Sequence, residues 1–196
     1  MKAIGGQNIG LVWQAEFLKL LRQENYAEPL KESVRKDDWT KAMTSVVVAT
    51  CQSLGWQASA KGYPLSNIGI RSSEFLALDV TAFANTFDGD QQWEFPIAVM
   101  ELENQPDRIN YSLWKVLCIR AALRIVFCYC RSPSDRIHTI TALRDRVIRP
   151  MPISDQIAIT GETLVVVGSR DELAIFPSGF FKWWELDTNT GNFEIF

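Results

Sequence analysis

The stretch that most restricts how this chain folds is Trp93 to Asn104, an apolar run that ends abruptly in two carboxylates, Glu101 and Glu103, separated by one leucine. A strand alternates its faces, so Phe95, Ile97, Val99, Glu101 and Glu103 share one side while Ala98, Met100 and Leu102 take the other. A strand that faces the core for most of its length therefore closes on a pair of acids.

A second apolar run, Glu74 to Phe83, carries Asp79 at its centre, where an ionised group is expensive to bury without a partner. Between the two runs lies Asp88-Gly89, a hairpin signal. If the runs fold back as an antiparallel pair, residues whose numbers sum to about 180 face each other. Asp79 and Glu101 are then neighbours, within a residue or two of register.

With 196 residues, 47% of them hydrophobic and 22% charged, the chain has enough apolar material for one well-filled core. No composition break divides it, so residues 1–196 read as one domain. Its core falls at about 37–130, with an accessory helix at about 9–24 and a C-terminal hairpin at about 180–196. Cys51, Cys118, Cys128 and Cys130 show no CxxC spacing and read as reduced thiols rather than metal ligands or disulfides. Residues 1–8 are broken by glycines and amides, and no apolar run approaches transmembrane length, so a cytoplasmic protein with no membrane partner is expected.

The net charge is only −3, but it is unevenly spread. From Arg108 to Arg149 there are nine Lys or Arg against Asp135 and Asp145, a local excess of +7 that leaves −10 on the remainder. A basic surface beside an acidic pocket suits phosphodiester chemistry, although helix surfaces are also basic by chance.

Along the chain, Leu11, Ala15, Leu18 and Leu21 give a helix over residues 9–24, and a polar segment from Tyr26 to Asp38 contains Pro29. A second helix, capped by Asp37 or Asp38, runs through Val46 and Val47 to stop at Gly55. A short strand is expected at 67–71, then the two acid-bearing strands, a helix over about 109–123 and a central strand over 124–130. A helix opening at Ser132 carries Ile137, Ile140, Leu143 and Val147; a strand at 163–168 and a closing hairpin of Phe180–Leu186 with Phe193–Phe196 complete the chain.

This order of helix, antiparallel strands with acids on the second and third, helix and buried strand resembles the core of the PD-(D/E)XK nuclease superfamily, the restriction-endonuclease-like fold. The resemblance covers roughly residues 37–130. It implies an α/β protein, bordering on α+β, with a three-layer α/β/α core around a central mixed sheet. It further implies a metal-dependent endonuclease-like protein that hydrolyses DNA with Mg²⁺ or Mn²⁺. In that family the first acid and the acid of the E-x-K element hold the metal, which carries over to Asp79 and Glu101. Leu78 stands in place of the usual proline, and Glu103 in place of the lysine that orients or activates water. Lys115, on the following helix, restores the positive charge if it points back at the strand ends. The candidate catalytic residues are thus Asp79, Glu101, Glu103 and Lys115. Many nucleases of this fold cut duplexes as dimers, and the aromatic C-terminal hairpin is a plausible homodimer surface by composition.

The chemistry stands apart from the family. Hydrolysing a phosphodiester needs charge neutralised on the phosphoryl oxygens and hydroxide near neutral pH, and Mg²⁺ on oxygen ligands supplies both. Glu103, one strand period from Glu101, is placed to take a second metal or a proton from water. Mutual repulsion among three carboxylates raises at least one pKa.

Other readings of the same residues remain open. Asp79 is also a candidate for a buried pair with Arg71 or Arg124, and Glu101 and Glu103 for a strand emerging into solvent. His138 reads as a surface or boundary residue; Asn104, Tyr111 and Ser112 line the pocket or cap the next helix; Trp183 and Trp184 are core or dimer surface. The absent lysine at 103 and the acidic overall balance favour an alternative function, a catalytically inactive nuclease-fold protein acting as a binding or assembly module. An unrelated α/β scaffold is a third.

Overall fold

The computed structural model describes residues 8–32, 36–65, 75–84 and 94–196. The fold is α/β: seven strands form one mixed sheet in chain order, with helices on both faces. The strands are β1 (Trp56–Ala60), β2 (Val80–Ala84), β3 (Ala98–Leu102), β4 (Leu123–Cys130), β5 (Glu162–Ser169), β6 (Phe181–Asp187) and β7 (Asn192–Ile195). Neighbours pair antiparallel except β3–β4 and β4–β5, which are parallel, so the apolar β4 lies at the centre of the sheet.

Alternation along the strands divides the core in two. Ala98, Met100, Leu102, Ile125, Phe127, Leu164, Val166 and Trp183 face one layer, built by α1 (Ile9–Leu21), α2 (Glu24–Glu32) and α3 (Lys36–Ser53). Val99, Val126, Cys128, Val165, Val167 and Trp184 face the other, built by α4 (Ile109–Leu117), α5 (Asp135–Leu143) and the wide helical turn Arg144–Ile148. Phe17 of α1 anchors the first layer, with ring centroids 5.3 Å from Phe127 and 5.8 Å from Trp183. The N-terminus of α1 is held by a carboxylate of the sheet: Glu162 of β5 accepts the Ile9 N–H at 3.0 Å and the Gly10 N–H at 2.7 Å. Two otherwise unmet helix donors are satisfied by a negative charge at the positive end of the dipole.

Several expectations are corrected. The first helix ends at Leu21 and buries Trp13, Phe17, Leu20 and Leu21, while Leu11 is exposed, because the bulky aromatic stripe takes precedence over the leucine one. Residues 24–32 are helical despite Pro29; burial of Ala27 and Leu30 against the first layer outweighs the lost N–H. The helix of the second expectation starts at Lys36, ahead of both proposed caps. The helix after β3 stops at Leu117 rather than 123. Trp183 and Trp184 are both buried, one in each layer, so these two rings belong to the core. Phe95 is exposed rather than on the core face. The expected strand at 67–71 and the Asp88-Gly89 turn lie outside the described residues. Among the described residues no helix is long and apolar enough to cross a membrane.

Candidate functional site

The register of β2 on β3 brings the acids together. Val80 faces Met100, Thr81 faces Val99 and Ala82 faces Ala98. Asp79 precedes β2 by one residue, so continuing this register places it against Glu101. Each carboxylate accepts a backbone N–H from the other chain segment: Leu102 N–H donates to Asp79 Oδ2 at 2.7 Å, and Asp79 N–H to Glu101 Oε1 at 3.4 Å. Both acids lie toward the layer built by α4.

Lys115 completes the cluster. It lies one helical turn beyond Ser112 on α4 and turns back onto the sheet, with Nζ 2.7 Å from Glu101 Oε1. The same ammonium donates to the carbonyl of Ala77 at 2.8 Å. That carbonyl belongs to a turn in which Leu76 and Ala77 both take left-handed backbone, with φ 54° and 56°. Neither is glycine, so the turn carries strain, a feature that clusters at functional sites. Nothing in the residue types of Leu76 and Ala77 signals it.

Burial dominates the electrostatics. Glu101 is 4% exposed, and desolvation pushes its pKa up from 4.5 to about 7. The hydrogen bond from Lys115 pulls it down, and the charge of Asp79 pushes it up again. The outcome is an acid that changes protonation near neutrality, held between a lysine and a second carboxylate.

The other candidates are placed differently. Glu103 is half-buried, its oxygens directed to the Gln105 N–H at 2.7 Å and the Ser112 hydroxyl at 3.4 Å, so it closes the turn into α4. Asn104 donates to Thr40 Oγ1 at 2.8 Å and ties the end of β3 to α3. Arg124 is not the partner of Asp79: its buried guanidinium donates to the carbonyls of Val116, Ile119 and Thr160. His138 is exposed on α5. Trp114, half-exposed beside Tyr111, was not singled out from the sequence; its place one residue before Lys115 was the available signal.

Asp79 and Glu101 supply hard oxygen donors of the kind Mg²⁺ takes through one or two carboxylates, with water and phosphate oxygens filling the rest of its shell. Burial is the main cause of the raised pKa of Glu101; a cation there would also relieve the smaller push from the charge of Asp79, which Lys115 now offsets. Among the described residues no three or more His, Cys, Asp or Glu are grouped to hold a metal, so a cage made only of protein is not formed there. No family model, curated protein or solved structure matches the chain.

Proposed function

We propose that this protein is a divergent nuclease of the PD-(D/E)XK type that hydrolyses DNA phosphodiester bonds with Mg²⁺ or Mn²⁺. The observation that carries the reading is Lys115, which reaches from α4 to Glu101 and so brings a lysine to the acids although position 103 holds glutamate. The topology supports it as well. A helix, an antiparallel β1-β2-β3 meander, a helix and a parallel β4 follow the chain order from which the resemblance was drawn.

When bound, the metal neutralises phosphoryl oxygens and lowers the pKa of water. Asp79 and Glu101 would hold it, with Asp79 fixed for this by the Leu102 N–H. Lys115 donates to the developing negative charge and orients the attacking water, with the Ala77 carbonyl setting its direction. Glu103 acts on position: by holding Ser112 and the Gln105 amide it sets the start of α4 and hence where Lys115 falls.

One observation favours the alternative, an inactive nuclease-fold module. Lys115 is already paired with Glu101, which satisfies the acid without a metal. Calorimetric titration of Mn²⁺ or Mg²⁺ into the wild-type protein and Asp79→Ala, with plasmid nicking on the same samples, separates the two. Binding and nicking that both vanish in the variant support the nuclease. A wild-type protein that binds no metal and nicks nothing overturns it.

A further inference from the structure

Beside α4, a groove of about 640 Å³ runs between that helix and the segment after the wide turn. One bank presents Asn110, Tyr111 and Trp114; the other presents Arg146, Met151 and Pro152. Tyr111 and Trp114 are 58% and 52% exposed, with ring centroids 5.8 Å apart and 31° between their planes. Two large rings thus show their surfaces to solvent along one helix. The groove is also linked to the carboxylates. The Lys115 ammonium lies 5.7 Å from the Tyr111 ring centroid, and the same ammonium is 2.7 Å from Glu101.

We infer that this groove binds single-stranded nucleic acid, its bases stacked on Tyr111 and Trp114 and its backbone carried past Lys115 toward Asp79 and Glu101. The inference deepens the nuclease reading and rests on it for the identity of the site at the end of the path. The exposed rings select this occupant, and the cations beside them suit its phosphates. Arg146 lines the groove, Arg108 is exposed outside it at the start of the same helix, and neither forms an ion pair among the described residues. Asp155 is the one acid in the lining. Exposed rings beside cations bind unpaired bases and phosphates together, whatever the sequence, because every base has a π face. In a duplex those faces are stacked on one another, so the rings favour an unpaired strand.

The test is fluorescence anisotropy with a labelled fifteen-nucleotide oligo-dT and a duplex of equal length, in EDTA so that no cutting intervenes. The wild-type chain is expected to bind the single strand more tightly than the duplex. Trp114→Ala and Tyr111→Ala each weaken single-strand binding at least fivefold, and Trp114→Phe restores it. Arg146→Gln lowers the slope of log affinity against log salt by about 0.7. Nicking by Asp79→Ala reads the metal site separately, because groove binding is measured in EDTA on the Trp114 and Tyr111 variants. No single-strand binding, equal binding of duplex, or full binding by the Trp114→Ala, Tyr111→Ala double variant overturns the groove as a strand site, even if the wild-type protein nicks plasmid.

Discussion

Lys115 closes on Glu101 from the helix that follows β3, with 2.7 Å between Nζ and Oε1, and both side chains are largely withdrawn from water. Removing either partner leaves the other buried and uncompensated, which is a larger loss than the pair itself contributes. In a double-mutant cycle of Lys115→Met and Glu101→Gln at pH 8, a coupling of about 1–3 kcal/mol is expected. Urea denaturation of the four proteins measures it. Additive effects would show that the contact contributes nothing to stability.

The pH dependence of stability follows from the raised pKa of Glu101. Between about pH 4.5 and pH 7 the folded protein keeps a proton that the unfolded chain has released. Stability attributable to this group therefore falls as pH rises through that window and levels off above it. The total is about 3 kcal/mol. Glu101→Gln removes the dependence, so its stability relative to wild type should rise between pH 5 and pH 8. Parallel urea titrations at four pH values check this, and identical profiles for the two proteins would refute it.

The pairing of Asp79 with Glu101 was legible because strand period and register are arithmetic: the observed pairs Val80–Met100 and Ala82–Ala98 follow the same sum that the sequence suggested. The central strand was legible for the same reason, since Leu123–Cys130 is a continuous apolar and β-branched run broken only by Arg124. What was not legible depended on tertiary partners. The Glu24–Glu32 helix contains Pro29 and mostly polar residues, and only the layer it packs on stabilises it. Arg124 offered a plausible partner for Asp79, but its guanidinium reaches instead to carbonyls at the end of α4, a placement no spacing encodes. Leu76 and Ala77 have no sequence signature of a left-handed turn, because neither glycine nor asparagine marks it.

The strained turn is itself testable. Ala77→Gly keeps the carbonyl that receives Lys115 while removing the Cβ that disfavours φ 56°. Glycine also loses more backbone freedom on folding, so the two effects partly cancel. A net gain of about 0.5–1 kcal/mol in unfolding free energy is expected from urea denaturation, with the Lys115–Glu101 coupling unchanged. A loss comparable to glycine at an ordinary helix position would show that the turn is unstrained.

Glu162 and Gly10 form a second coupled pair. A Cβ on Gly10 would stand 2.5 Å from Glu162 Oε2, 3.1 Å from Leu164 and 3.2 Å from Phe196. Alanine normally stabilises a helix relative to glycine by about 0.5–1 kcal/mol; here the new methyl displaces the carboxylate that accepts the Ile9 and Gly10 N–H groups, so the expected sign is reversed. Gly10→Ala and Glu162→Ala should each lower the melting temperature, the second because the Ile9 and Gly10 N–H groups lose their acceptor. The double variant should lose less than the two singles combined, since removing the carboxylate opens room for the new methyl. Melting temperatures that simply add would show that the methyl and the carboxylate do not compete for the same space.

Arg124 ties the end of α4, from which Lys115 reaches Glu101, to its neighbours. Its Nε and Nη2 donate to Ile119 at 3.0 and 2.9 Å, Nε also to Val116 at 3.1 Å, and Nη1 to Thr160 at 2.7 Å. One planar fork thus joins the end of the helix to β4 and to the segment before β5. Lysine keeps the charge but not the fork, so Arg124→Lys leaves carbonyls buried and unmet. A loss of about 3 kcal/mol is expected by urea denaturation. The sharper readout is the Lys115–Glu101 cycle repeated in the Arg124→Lys background. If the guanidinium sets the helix, the coupling falls toward zero there; if it persists at full size, α4 is placed by its apolar face alone, through Ile109, Leu113 and Val116.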